Sequence, residues 1–121
     1  MTTEPAAAEE VLTALADPTR RLILDRLSRR GDATATLLAD ELPVTRQAVV
    51  KHLAVLDRAG LVTARRDGRE RRYRVRPDGL AATARWMNEV AAQWSSRLEM
   101  IKRIAERAER AGLAGEAPGN L

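Results

Sequence analysis

Between residues 45 and 58, polar and basic side chains recur at the spacing of one helix face. At about 100° per residue, Val49, Leu53 and Leu56 fall on one side of a helix. The opposite side has the residue types that read DNA: Gln pairs with adenine, Val offers methyl groups to thymine, and Lys or Arg bonds guanine or phosphate. That outer side consists of Gln47, Val50, Lys51, Ala54 and Arg58. Its composition predicts contact with duplex DNA.

Three further residues extend this face. Thr45 is a good N-cap, and Thr45 and Arg46 could bond phosphate oxygens beside the free amides of the helix start. His52 is the single histidine of the chain and lies near the edge of the apolar side. Because a metal or catalytic role would need a second His, a Cys or an adjacent nucleophile, His52 is expected to pack or to bond phosphate. No catalytic or metal-binding residue is predicted.

Arginines dominate the segment that follows. Residues 65–76 contain seven arginines against two acidic residues, a net charge of +5. The dipeptide Asp67-Gly68 predicts a tight hairpin turn between two strands. Edge strands are usually protected by mixed charges or lysine, so this excess favours phosphate or minor-groove contact, with Arg69 and Arg71 the expected contacts. Some of the other strand arginines are expected to pair with carboxylates of the protein.

The charge of the chain is concentrated in one segment. The 121 residues have a net charge of +4, but residues 1–44 carry −3, residues 45–76 carry +7, and residues 77–121 are neutral. A local excess of this kind attracts a polyanion. There is no cysteine, which excludes disulfides and thiolate metal sites. No apolar run long enough for a membrane span and no signal peptide is recognisable, so the cytoplasm is the expected location.

The surrounding elements follow from apolar periodicity and from breakers such as Pro18, Gly31, Pro43 and Gly60. Two helices joined by a tight turn before residue 46 indicate a helix-turn-helix. The predicted fold is mainly α with a small β-hairpin, a winged helix-turn-helix in one domain of residues 1–111 with a flexible tail at 112–121. Helices are predicted over residues 6–16, 18–29 (Leu22, Ile23 and Leu27 inward), 34–42 (Leu37, Leu38 and Leu42 inward), 46–59 and 80–111, and strands over 61–66 and 70–76.

The last predicted helix carries one apolar stripe. It is formed by Trp86, Val90, Trp94, Leu98, Ile101, Ala105 and Ala108. A helix of this length extends about 48 Å, more than a small domain can cover, so part of the stripe needs a partner. The two tryptophans could line a ligand pocket or pack at a dimer interface, and interface packing is the commoner use.

Three segments together resemble the ArsR/SmtB family of winged helix-turn-helix repressors. They are residues 15–24 (Leu-Ala-Asp-Pro-Thr-Arg-Arg-Leu-Ile-Leu), residues 45–53, and residues 56–62 with the Gly68-Arg69 and Tyr73-Arg74-Val75 that follow. The resemblance covers residues 12–76, and the tail with Trp86, Trp94 and Leu98 resembles a metal-independent branch.

The resemblance implies a homodimer built from the first and last helices. Its interface would include Val11, Leu12, Leu15, Trp86, Val90, Trp94, Leu98 and Ile101. It also places the DNA contacts at Thr45, Arg46, Gln47, Val50, Lys51 and His52. Family members that sense metals use a cysteine pair on the helix matching residues 34–42, or His and Asp ligands on the last helix. The chain has neither cysteines nor a histidine after His52, so it departs from that pattern.

The expected function is sequence-specific repression of transcription by a homodimer on a palindromic operator, with autoregulation and a small-molecule effector left open. The alternative is a winged-helix module that binds RNA or protein without operator specificity. An enzyme with a pocket at Trp86 and Trp94 would need a titratable cluster there, yet only Glu89 and Glu99 are near in sequence. No cofactor and no membrane partner is expected.

Overall fold

The computed structural model describes the backbone of residues 5–115 and the side chains of residues 7–112. Helices dominate this part of the chain, and a small antiparallel sheet accompanies them, as predicted. The elements in chain order are α1 (Pro5–Leu15), α2 (Pro18–Arg30), β1 (Ala33–Thr34), α3 (Ala35–Glu41), α4 (Arg46–Arg58), β2 (Val62–Asp67), β3 (Glu70–Val75) and α5 (Pro77–Gly115).

The sheet has three strands where a two-stranded hairpin was predicted. Its order is β1-β3-β2, and β1 pairs with β3 through Ala33↔Tyr73 and Thr34↔Arg72. The prediction assigned Thr34 to a helix, whereas its side chain caps α3 by accepting a hydrogen bond from the Leu37 amide at 3.1 Å. β1 was missed because two residues are too few to show the period-2 alternation of a strand.

The hairpin turn lies one residue later than expected. Asp67 pairs with Glu70, so the two loop residues are Gly68 and Arg69 rather than Asp67-Gly68. Gly68 has φ +67, and no other residue type in the described part has a positive φ. Gly at the first of two loop positions is typical of a type II′ turn, whose twist matches that of the strands. Arg69 therefore stands at the tip of the hairpin.

A single aliphatic core joins the elements around α4. The largest fully buried side chains are Ile23, Leu27, Leu38, Leu53, Leu56, Leu61, Val49 and Val62. One prediction for α2 needs correction, because Leu22 is 48 % exposed. Leu37 of α3 is half-buried and packs against the core, as predicted. Leu24 is buried in place of Leu22, because residues 23, 24 and 27 lie within about 100° on α2 and residue 22 lies outside that arc.

α1 divides its apolar residues between the core and the surface. Val11 is 3 % exposed and packs in the protomer's own core with Ala8 and Ala14. Its place in a dimer interface stays a prediction, although a side chain this buried offers little area to a second chain. Leu12 is 39 % exposed and Leu15 is half-buried.

The chain divides after Trp86 into two compact units. α5 crosses this division and ends at Gly115, so it includes the first residues of the expected flexible tail; residues 116–121 lie outside the described part. The extent of the domain stays a prediction. In the second unit Trp94, Leu98 and Ile101 are 56–60 % exposed, and Val90 is half-buried.

Candidate nucleic-acid interface

Two features hold the outer face of α4 in place. The Thr45 side chain caps the helix by accepting a hydrogen bond from the Ala48 amide at 3.1 Å, as predicted from its type. On the inner side Val49, Leu53 and Leu56 are fully buried. The helix is thereby fixed in rotation, because turning it would expose these side chains to water.

The opposite side of α4 is free of protein neighbours along most of its length. Gln47, Lys51, Ala54 and Arg58 are exposed, and so is Val50, at 40 %. The predicted division of the helix into two faces is confirmed. Exposure to water gives an apolar valine side chain no stabilisation. Its methyl groups are suited to contact with a thymine methyl group.

An open groove of about 670 Å³ separates the start of α4 from the hairpin. Arg46 lies on one side, where its Nε–H donates to the Thr36 hydroxyl at 3.1 Å. Arg71 lies on the other, with its guanidinium carbon 5.9 Å from the centre of the Tyr73 ring, a cation–π distance. Val50 also lines the groove. Cations from both α4 and the hairpin thus line the groove and outnumber its one carboxylate, which suits a phosphate backbone.

The arginines of the hairpin fall into two groups. Arg72 donates to Asp32 through Nε at 3.2 Å and Nη2 at 3.1 Å, and Arg65 donates to the same carboxylate at 3.3 Å. The hydrogen bond from Arg72 is the main reason that the pKa of Asp32 lies below its usual value. Arg72 also bonds Glu70 at 3.1 Å. The predicted pairing of strand arginines with carboxylates is therefore confirmed.

The remaining hairpin arginines are exposed to solvent. Among the described residues no carboxylate lies within ion-pair distance of them; they are Arg66, Arg69, Arg71, Arg74 and Arg76. Their charges are available to an anion. Arg69 and Arg71, the two predicted contacts, also line the groove beside α4.

Two predicted residues lie apart from this groove. Arg58, at the other end of α4, lines an open depression with Glu9 and Glu10 of α1. His52 is half-buried, and its Nδ1 lies 3.4 Å from Nη1 of Arg20. The structure therefore brings together Arg46 and Val50 with the hairpin tip, and gives Arg58 and His52 different surroundings.

Four residues at the site were not predicted. Arg20, Asp32 and Thr36 act through contacts with residues further along the chain, and Asp32 is 40 positions from its partner Arg72. Tyr73 contacts Arg71, two residues away. Arg20 and Tyr73 had a signal, since both lie in segments that carry the family resemblance, whereas no local pattern marks the other two.

Other site classes are not formed by the described residues. Within residues 5–115 no three or more His, Cys, Asp or Glu side chains are grouped so that they could hold a metal ion. None of the helices described is both long and apolar enough to cross a membrane.

Comparison with known proteins agrees with the fold. Residues 15–65 match the family model of a helix-turn-helix domain. The structure is similar to that of an ArsR-like transcriptional regulator from Rhodococcus sp. RHA1, with a TM-score of 0.76 and 46 % identity over 83 % of this chain and 93 % of that one. The chain belongs to the ArsR/SmtB family of transcriptional regulators.

Curated relatives support this membership. An uncharacterized HTH-type transcriptional regulator, YuzN of Bacillus subtilis (strain 168), is 48 % identical over 52 % of this chain and 75 % of its own length. The probable mercury resistance operon repressor of Streptomyces lividans is 32 % identical over 89 % of this chain and 86 % of its own length. Membership confirms the predicted DNA-binding transcriptional repressor, and it confirms that the protein is not an enzyme.

Proposed function

We propose that this ArsR/SmtB-family protein represses transcription by binding a palindromic operator as a homodimer. The observation that carries the proposal is the exposed face of α4, which presents Gln47, Val50 and Lys51 from a helix fixed by a fully buried inner side. In a helix-turn-helix such a second helix lies in the major groove. The cationic groove between α4 and the hairpin suits the phosphate backbone that borders the major groove of the DNA.

The contacts divide between reading and positioning. Gln47 and Val50 face base edges, where bidentate hydrogen bonds and methyl contacts discriminate between base pairs. Thr45, Arg46, Lys51 and His52 bond phosphates along the first half of α4. Arg69 and Arg71 add phosphate or minor-groove contacts from the hairpin. Arg58 is a peripheral contact, because it stands beside α1 and away from the groove.

Dimerisation is supported by apolar surface that the described chain leaves uncovered. On α5, Trp94, Leu98 and Ile101 are more than half exposed, and Leu12 of α1 is exposed as well. Large exposed apolar stripes of this kind mark protein interfaces. Trp86, Val90 and Leu15, which are half-buried, complete the proposed interface. Two copies of α4 would then meet half-sites about 10–10.5 base pairs apart.

We infer that regulation does not use thiolate metal ligands. The chain has no cysteine and no histidine besides His52, whose Nδ1 is engaged by Arg20. We assign the chain to the metal-independent branch and to the cytoplasm, where the operator would be; an effector, if one exists, is a small molecule of another class.

The proposal is tested by selection from random duplexes with the purified full-length protein, followed by competition. We expect an inverted repeat with the stated half-site spacing, bound about a thousandfold more tightly than tRNA or single-stranded DNA. Enrichment of no sequence, together with equal competition by tRNA, would support the RNA-binding alternative and refute the proposal. A single, non-repeated site would refute the homodimer alone.

A further inference from the structure

The side chain of Arg20 connects the end of α1 to the proposed reading helix. Only 16 % of the side chain is exposed. Its Nε–H donates to the carbonyl of Ala14 at 2.6 Å, and Nη2 donates to the carbonyl of Thr13 at 3.4 Å. Its third nitrogen, Nη1, lies 3.4 Å from Nδ1 of His52 on α4. One guanidinium therefore contacts two helices from a position on a third.

The carboxylate of Asp17 lies beside the same guanidinium. One carboxylate oxygen caps α2 by accepting from the Thr19 amide at 2.7 Å and the Arg20 amide at 3.2 Å; the other lies 3.9 Å from Nη1 of Arg20. Burial by itself would raise the pKa of Asp17, but the hydrogen bonds from the two amides and the positive charge of Arg20 outweigh it and lower the pKa. The carboxylate is therefore ionised at neutral pH.

The chemistry of the two side chains decides where the proton of His52 lies. A guanidinium has donors and no acceptor, so Nδ1 of His52 must accept the hydrogen bond from Arg20. A neutral imidazole then carries its proton on Nε2, because the bond made by one ring nitrogen fixes the state of the other. Nε2 has no hydrogen-bond partner among the residues that the structure describes. The half-exposed ring thus has one free donor.

We propose that Arg20 is a positioning residue for DNA binding. It holds His52 in the Nε2–H form, and that N–H is donated to a phosphate oxygen of the operator. The proposal rests on the proposed function, since it places this part of α4 against DNA. It assigns Arg20 an effect on affinity although Arg20 is not itself required to touch the nucleic acid.

Arg21 provides a matched control. It also binds the end of α1, where its Nη1 donates to the Leu15 carbonyl at 2.6 Å. In the described part of the chain it has no hydrogen bond to His52. Arg20→Ala removes two hydrogen bonds to α1, and Arg21→Ala removes one. Only the first removes the partner of His52, so a difference between the two variants reports the proposed role rather than the attachment of α1.

The first test uses nitrogen-15 NMR of the imidazole in the free protein. His52 is the only histidine, so its two ring nitrogens give unambiguous signals. At pH 8 we expect the Nε2–H form in the natural protein and in Arg21→Ala, and a mixture of both tautomers in Arg20→Ala. The Nδ1–H form in the natural protein would overturn the proposal without any reference to DNA.

The second test measures affinity for the selected operator by fluorescence anisotropy. His52→Ala should weaken binding of the dimer about twenty-five-fold, the effect of one net hydrogen bond, about fivefold, in each half-site. Arg20→Ala should weaken it about fourfold, because about half of the imidazoles in each protomer still carry the Nε2 proton, and the double variant should be no weaker than His52→Ala, since both act through one contact. Arg21→Ala should stay within about twofold. His52→Gln should restore binding, because its amide offers an acceptor to Arg20 and a donor to phosphate. Additive losses, or a His52→Gln variant as weak as His52→Ala, would overturn the proposal.

Two further measurements separate the possible failures. Thermal melting shows whether each variant is folded. If Arg20→Ala is unfolded, two other results decide whether the proposal holds: the affinity of His52→Gln compared with that of His52→Ala, and the tautomer of His52 in the natural protein. Lys51→Ala provides the other check. If Lys51→Ala loses affinity and His52→Ala does not, the role of Arg20 is refuted and the proposed function stands. If neither variant loses affinity, the role of Arg20 and the proposed function are both refuted.

Discussion

Replacing Arg69 with alanine should change how strongly DNA binding depends on salt. Arg69 is exposed at the tip of the hairpin and pairs with no carboxylate among the described residues. Arg65, in the same hairpin, lies 3.3 Å from Asp32 and 4.0 Å from Asp67. An arginine that is already paired with a carboxylate releases few counterions from DNA. Arg69→Ala should therefore change the salt dependence of binding and Arg65→Ala should not, although both side chains are exposed.

The magnitude follows from the number of phosphates neutralised. If Arg46, Lys51, Arg69 and Arg71 each neutralise one phosphate, a dimer neutralises about eight, and the slope of log affinity against log salt is about −7. Arg69→Ala removes two of these contacts, which brings the slope to about −5 and weakens binding roughly thirtyfold at 0.15 M salt. Arg65→Ala should leave the slope unchanged and alter affinity by less than about threefold.

Fluorescence anisotropy with a labelled operator, over a series of potassium chloride concentrations, measures both slopes. The loss in Arg69→Ala should be the same on operator and random duplex, because phosphates carry no sequence information. An unchanged slope in Arg69→Ala would show that the hairpin tip does not contact DNA. Equal changes in the two variants would show that ion pairing within the protein does not decide which arginines contact DNA.

Three substitutions and one control variant test the fold that positions the site. Leu53→Ala removes a fully buried side chain and should lower the free energy of unfolding by about 2–5 kcal/mol in urea denaturation; a loss below about 1 kcal/mol would contradict its place in the core. Gly60→Ala should lower the melting temperature because φ is +76, whereas Gly112→Ala, in a helix with open space around it, should not lower it; equal losses would argue against the strained turn. Asp32→Asn should be less stable than the natural protein at pH 7: a pKa lowered from 3.8 stabilises the fold above that pH, and this stability is lost as the pH falls below it. Melting curves that differ by the same amount at pH 7 and pH 3 would contradict this role of Asp32.

The parts of the site that could be predicted are those encoded by local spacing. The two faces of α4 followed from the positions of Val49, Leu53 and Leu56, because a 3.6-residue period is visible within a single element. The cap at Thr45 followed from residue type alone. These local rules apply whatever the rest of the chain does, which is why they held.

The parts that were missed depend on contacts between distant segments. β1 exists because Ala33 and Thr34 pair with β3, and nothing in a two-residue segment indicates this. Asp32 holds Arg65 and Arg72 across a long sequence separation, so the charge count of the hairpin alone overstated the number of arginines available to DNA. Leu22 looked like a core residue by type, but its position on α2 faces solvent.

The central claim, that α4 reads base sequence, is tested most directly by Gln47→Ala. The variant should lose about 1–3 kcal/mol in each half-site of the selected operator, should lose preference at one position in each half-site, and should bind random duplex as well as the natural protein does. Anisotropy titrations on the operator, on operators substituted at each position and on random duplex measure all three. Equal effects of Gln47→Ala on operator and random DNA would contradict the account.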